Sequence, residues 1–152
     1  MKIAMIMAGD EEGGLEKHVV ELSNGLNARG HQVTLIAHAK YQTRVQSDFI
    51  AVNLTKSRRN ILTWYRMYKV LSTLKPDVIH VHGNKAAAIV GRVLKFLNLP
   101  SVATLHSRKK NTKMFQAFNA VIAVSPNAAE VVDHPNKFVV LNGIEKPHID
   151  AN

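Results

Sequence analysis

The sequence predicts an α/β fold: a doubly wound parallel sheet with helices on both faces, in a single domain. Short apolar runs alternate with amphipathic stretches along the chain, and strands alternating with helices imply parallel β–α–β units. The apolar runs are nearly continuous, as strands buried on both faces require. With 152 residues, 46% of them hydrophobic, the chain is long enough to bury a core.

Each element follows from local chemistry. Ile3 to Ala8 is an apolar run after a single cation, too short for a signal peptide, and reads as the first strand. Gly14 to Arg29 carries Leu15, Val19, Leu22 and Leu26 at helical spacing, and Gly30 stops it. Gln32 to His38 is the second strand, Tyr41 to Asp48 a polar loop, and Phe49 to Leu54 a short third strand. Asn60 to Leu74 predicts a helix with Ile61, Tyr65, Tyr68 and Leu71 facing inward. Pro76 ends it and leads into a fourth strand, Asp77 to His82. Lys85 to Leu97 is an Ala-rich helix, and after Pro100 the fifth strand runs from Ser101 to His106. A short helix at Met114 to Phe118, a strand at Ala120 to Val124, a helix around Asn127 to Val132 and a strand at Phe138 to Leu141 complete the series.

Composition narrows the function. No cysteine is present, which removes disulfides, thiolate metal sites and cysteine nucleophiles. No run approaches the roughly 18 apolar residues of a membrane span, and a cytoplasmic protein is expected. Twenty Lys and Arg against eleven Asp and Glu give +9, a balance that attracts anions. The cations concentrate at Arg58-Arg59, Arg66 and Lys69, and at Arg108-Lys109-Lys110 and Lys113. No nucleic-acid-binding motif accompanies them.

Ligands of open parallel sheets bind beyond the carboxyl ends of the strands, near the point where strand order reverses. Four places qualify. Gly9 to Gly14, after the first strand, pairs glycines with a helix N-terminus, an arrangement that suits phosphate. It is neither G-x-G-x-x-G nor a Walker A loop, and an ordinary strand-to-helix turn accounts for the same residues. His80 and His82 share a strand face. Without a third ligand in the sequence neighbourhood they do not make a zinc site, so no metal is expected. His82 at the carboxyl edge suits a sugar hydroxyl. His106, beside Arg108 and Lys109, ends the fifth strand. Ser125 lacks the G-x-S-x-G elbow and suits a helix cap instead. Asp10, Glu11 and Glu12 crowd one loop rather than forming a separated acid/base pair, which argues against a glycosidase.

Several blocks follow one another along the chain: Met1 to Ala4, Gly13-Gly14-Leu15-Glu16, then Val19, Leu22 and Leu26, Arg29 to Thr34, Lys75 to His82, Pro100 to His106, Ala120 to Ser125 and Val139 to Glu145. Taken in this order they resemble the amino-terminal domain of family 4 glycosyltransferases with the GT-B fold, whose halves are Rossmann-like. Leu141 and Glu145 depart from the family's common proline and aspartate.

The resemblance implies a retaining transfer of sugar from a nucleotide-sugar co-substrate to a glycan or glycolipid acceptor, with no cofactor and no required metal. By the same resemblance, Gly13 and Gly14 contact the donor diphosphate. Glu16, His82 and Arg108 serve the acceptor side, His106 is catalytic near the reacting sugar, and Asn142 and Gly143 mark the hinge. The domain is expected to span 1–145, with 146–152 beginning a linker or tail. The carboxyl-terminal donor-binding domain, a partner of this one, lies outside the sequence, so the isolated chain is expected to be inactive. The basic surface points to an anionic membrane surface as a further partner, placing the protein at the inner face of the membrane. No nucleic-acid partner is expected. A stand-alone Rossmann-like ligand-binding module without catalysis is the competing reading.

Overall fold

The computed structural model describes residues 1–9 and 13–142. Seven strands form one parallel sheet in the order β3-β2-β1-β4-β5-β6-β7. They are β1 (Lys2–Met7), β2 (Gln32–Ala37), β3 (Asp48–Ala51), β4 (Val78–His82), β5 (Ser101–Leu105), β6 (Ala120–Ala123) and β7 (Lys137–Val139). Strand order reverses between β1 and β4, which pair in register Ile3↔Val78 to Met7↔His82. A crevice opens at the carboxyl ends of these two strands because their crossovers leave in opposite directions.

The helices are α1 (Gly14–Ala28), α2 (Ile61–Leu74), α3 (Asn84–Leu94) and the one-turn α4 (Pro126–Ala129). Each starts as its residues dictate. Glu16 folds back to accept from the Gly13 amide at 3.1 Å, Asn60 Oδ1 accepts from the Thr63 amide, and Ser125 Oγ accepts from the Ala128 amide. Ser125 is thus the helix cap its sequence context predicts.

Two cores lie on opposite faces of the sheet. On one, Ile79, Val81, Ala103, Leu105, Val121 and Ala123 pack against α2, α3, α4 and Phe115 of a 3₁₀ turn (Lys113–Ala117). On the other, Ile3, Met5, Met7, Val33 and Leu35 pack against Val19 and Val20 of α1 and against Tyr41. Helices therefore cover both faces. On the second face α1 packs over β1 and β2. Along β4 to β6 on that face Val78, His80, Val102 and Ile122 are half-buried, while His82 and Thr104 are buried.

Two local expectations are corrected. The polar stretch from Tyr41 contains a 3₁₀ helix, Ala39–Arg44, because Tyr41 is fully buried and anchors it. In α2 the inward residues are Thr63, Met67 and Leu71, with Trp64, Val70 and Leu74 packed alongside. Ile61, Tyr65 and Tyr68 instead face outward, as does Leu62. The helix has two apolar stripes, and the stripe through Trp64, Met67, Leu71 and Leu74 is the one that reaches α3 and the sheet.

Candidate functional site

The carboxyl edges of β1, β4 and β5 open into a cleft of about 510 Å³, lined by Gly9, Glu16, His82, Gly83, His106 and Lys109 among others. Its floor is built by close approach. Gly83 caps α3 with φ 87°, a conformation that costs a residue with a Cβ, and a Cβ there would press on Leu15 of α1. A side chain on Gly9 would collide with the Glu16 carboxylate. Both glycines thus let the first turns of α1 and α3 converge on the switch point, where helix N-termini present backbone N–H groups without intrahelical partners.

The cleft wall holds a cluster of imidazoles. His82 ends β4, is 1% exposed, and shares a hydrogen bond of 3.0 Å between its Nδ1 and His106 Nε2. The ring of His80 lies 4.1 Å from that of His82, as the two-residue strand repeat requires, and its Nε2 is 2.7 Å from Thr104 Oγ1 on the neighbouring strand. His18 of α1 closes the group, its ring centroid 5.2 Å from His106 and 6.1 Å from His82. Nε2 of the buried His82 has no hydrogen-bond partner.

These surroundings hold the rings neutral. Burial, and then the neighbouring His106 and His18, lower His80 to about 4. Burial, followed by His18, lowers His106 to about 4. His82 is pushed well below the ordinary histidine value, chiefly by burial and then by His80. His18 is lowered by burial against an opposing pull from Glu21. At neutral pH each ring therefore offers one N–H donor and one nitrogen lone pair, a set suited to hydroxyl groups.

The other residues singled out in the sequence are placed as follows. Gly13 and Gly14 lie exposed at the start of α1, and the Gly13 amide is already engaged by Glu16. Glu16 is buried, with its carboxylate turned to that amide and its side chain on the cleft wall. Arg108 points to α4, donating to Asn127 and pairing with Glu130 at 3.0 Å, while Lys109 lines the cleft. Asn142 is exposed, and Gly143 lies outside the described residues, as do Asp10, Glu11 and Glu12.

His18 escaped the sequence reading. A signal for it exists: it stands three residues after Leu15 and four before Leu22, on the stripe of α1 that faces the sheet. Trp64 and Tyr65 do not form a stacking surface together. Trp64 is half-buried with its indole N–H donating to the Arg58 carbonyl at 2.7 Å, and Tyr65 is exposed. Among the described residues, no helix is long and apolar enough to cross a membrane.

Known proteins share this architecture. The family model Glycosyltransferase Family 4 matches residues 12–145. The phosphatidyl-myo-inositol mannosyltransferase of Mycobacterium tuberculosis is 25% identical over 134 residues, covering 80% of this chain and 35% of the relative. The alpha-monoglucosyldiacylglycerol synthase of Acholeplasma laidlawii is 28% identical over 127 residues, covering 77% of this chain and 32% of its own. The chain thus spans about a third of the length of the curated relatives it matches. The crystal structure of Anabaena Alr3699/HepE in complex with UDP and glucose superposes with a TM-score of 0.73 at 14% identity, covering 95% of this chain and 45% of that one. At that identity the superposition establishes the fold.

Proposed function

The chain belongs to glycosyltransferase family 4, and from that premise we propose that it is the acceptor-side half of a retaining transferase that moves sugar from a nucleotide-sugar to a glycolipid. The observation that carries this reading is the cleft of neutral imidazoles at the sheet's switch point, where His82 and His106 meet beside two helix N-termini. In this reading a hydroxyl of the acceptor or of the reacting sugar takes its hydrogen bonds from His106, whose tautomer His82 fixes through their shared bond. The amides at the start of α1, Gly14 among them, face the donor diphosphate. The hinge falls at Asn142 and Gly143. Glu16 shapes the wall through its cap, and Lys109 takes the cationic position on the cleft for which the sequence put forward Arg108.

Transfer requires groups on both sides of the reacting centre that hold the transition state more tightly than the substrates. This domain supplies one side, and a second, donor-binding domain supplies the other. The 152-residue chain alone is therefore inactive in our reading. Calorimetric titration of the chain with a glycolipid headgroup, a sugar nucleotide and duplex DNA tests the proposal. Headgroup binding that His106→Ala weakens, without turnover when both substrates are present, is the expected outcome. Steady turnover by the chain alone, or tight binding of DNA in place of the headgroup, would contradict it.

A membrane-facing role forms part of the same proposal, supported by α2. Its outward stripe exposes Ile61 (72%), Leu62 (64%) and Tyr65 (56%), flanked in sequence by Arg58, Arg59, Arg66 and Lys69. Apolar residues bordered by cations suit an anionic bilayer surface, where each Lys or Arg contributes about 1 kcal/mol. The relatives named above act, by name, on lipid substrates. We expect the chain to sediment with phosphatidylglycerol vesicles at low salt and Leu62→Asp to release it. Equal sedimentation of the variant would remove α2 from the account.

A further inference from the structure

We propose that His18, His82 and His106 form a binding site for one divalent transition-metal ion of the zinc class. The sequence offered only the pair His80 and His82, two residues apart on one strand. The fold adds what that pair lacks, by bringing α1 over the ends of β4 and β5. One ring nitrogen from each of the three histidines can be chosen so that all three lie within 4.8 Å of one another. His82 Nδ1 and His106 Nε2 stand 3.0 Å apart. Nitrogens on one tetrahedral ion at bond lengths of about 2.05 Å stand roughly 3.3 Å apart, so the three rings must draw in by at most about 1.5 Å at their widest spacing to close on an ion.

The chemistry selects the ion. Imidazole nitrogens suit zinc, copper and nickel, whereas magnesium and calcium demand oxygen ligands. Three protein ligands leave a fourth position, as in catalytic rather than structural zinc sites. That position would face the cleft that His82 and His106 line, beside Lys109, where an anion or water completes the shell. The hydrogen bond between His82 and His106 is replaced on binding, so the metal-bound cluster and the hydrogen-bonded arrangement proposed for the acceptor are alternative states of the same residues. Each neutral ring then carries its single proton on the nitrogen turned away from the ion, so no net protonation change is needed. His80, packed 4.1 Å from His82 and held by Thr104, confines the buried ring by contact alone, and the outer nitrogen of His82, Nε2, keeps no hydrogen-bond partner. The site stands on this geometry alone and does not depend on the transferase reading.

Calorimetry of the 152-residue chain with zinc chloride, and the visible absorption of its cobalt(II) form, test the proposal. We expect one ion per chain and cobalt bands of tetrahedral intensity. Loss of supporting partners alone costs metal sites 10–100-fold, so losing a direct ligand in His18→Ala or His106→Ala should weaken binding by about tenfold or more. Both residues are half-buried, and circular dichroism verifies that the variants stay folded. Replacing His38 and His134, which lie outside the cluster, should leave the affinity unchanged. Zinc binding that is absent, or that survives both His18→Ala and His106→Ala, would overturn the site.

Discussion

The two faces of the sheet are built from the same strands but are closed to different degrees. On the face covered by α2, α3 and α4, Ile79, Val81, Ala103 and Val121 are all fully buried. On the other, α1 seals β1 and β2, and among the described residues Val78, His80, Val102 and Ile122 stay partly accessible. The histidine cluster sits where that second cover ends. A polar group inside the closed face would need every hydrogen bond satisfied. At the margin of α1, burial lowers His18 and His106 below the ordinary histidine value, yet both stay only half-buried. The difference divides the sheet into a closed side that carries most of the apolar packing and a half-open side whose boundary holds the polar cluster.

That contrast is open to direct attack. At neutral pH the largest effect is expected from Ile79→Ala, which leaves a cavity in the closed core and should cost about 3 kcal/mol in urea unfolding. A loss below about 1 kcal/mol would mean that this face is not the tight one. Acid should act next. His80 and His106 titrate at about 4 in the folded chain and near 6.5 when unfolded. Well above 6.5 both rings are neutral in both states and add no slope. Between about 6.5 and 4 the unfolded chain binds protons that the folded chain refuses, so stability falls as pH drops through that window. His106→Gln should flatten the slope, measured as the urea midpoint at successive pH values, and an unchanged slope would show that His106 does not contribute. The smallest effect is expected from Val102→Ala on the half-open face. It should cost under about 1 kcal/mol, because a side chain that solvent already reaches loses little on truncation. A cost equal to that of Ile79→Ala would erase the distinction between the faces.

The strands and their order of appearance were legible in the sequence because buried parallel strands are short continuous apolar runs, and Gly30, Pro76 and Pro100 punctuate them. The facing of α2 was not legible. Ile61, Tyr65 and Tyr68 form as regular a helical stripe as Trp64, Met67 and Leu71, and only packing against α3 and the sheet decides between two such stripes. The site was half legible. His82 and His106 could be placed because strand ends at a switch point are where ligands bind. His18 lies more than sixty residues from His82 in the chain, so its approach is a product of β1–β4 pairing and of how α1 lies across it. Arg108 shows the converse: a cation beside a site in sequence can find its partner elsewhere, here Glu130.

The central claim is that acceptor recognition resides in the cleft at the ends of β1, β4 and β5. Its most direct test is to map amide chemical shifts of the isotopically labelled chain during titration with a phosphoinositol headgroup. We predict shifts concentrated at Gly9, His82, Gly83 and His106, with the outer surface of α2 silent toward the soluble headgroup. Shifts confined to α2 or to the far end of the sheet, with the cleft unmoved at saturation, would contradict the account.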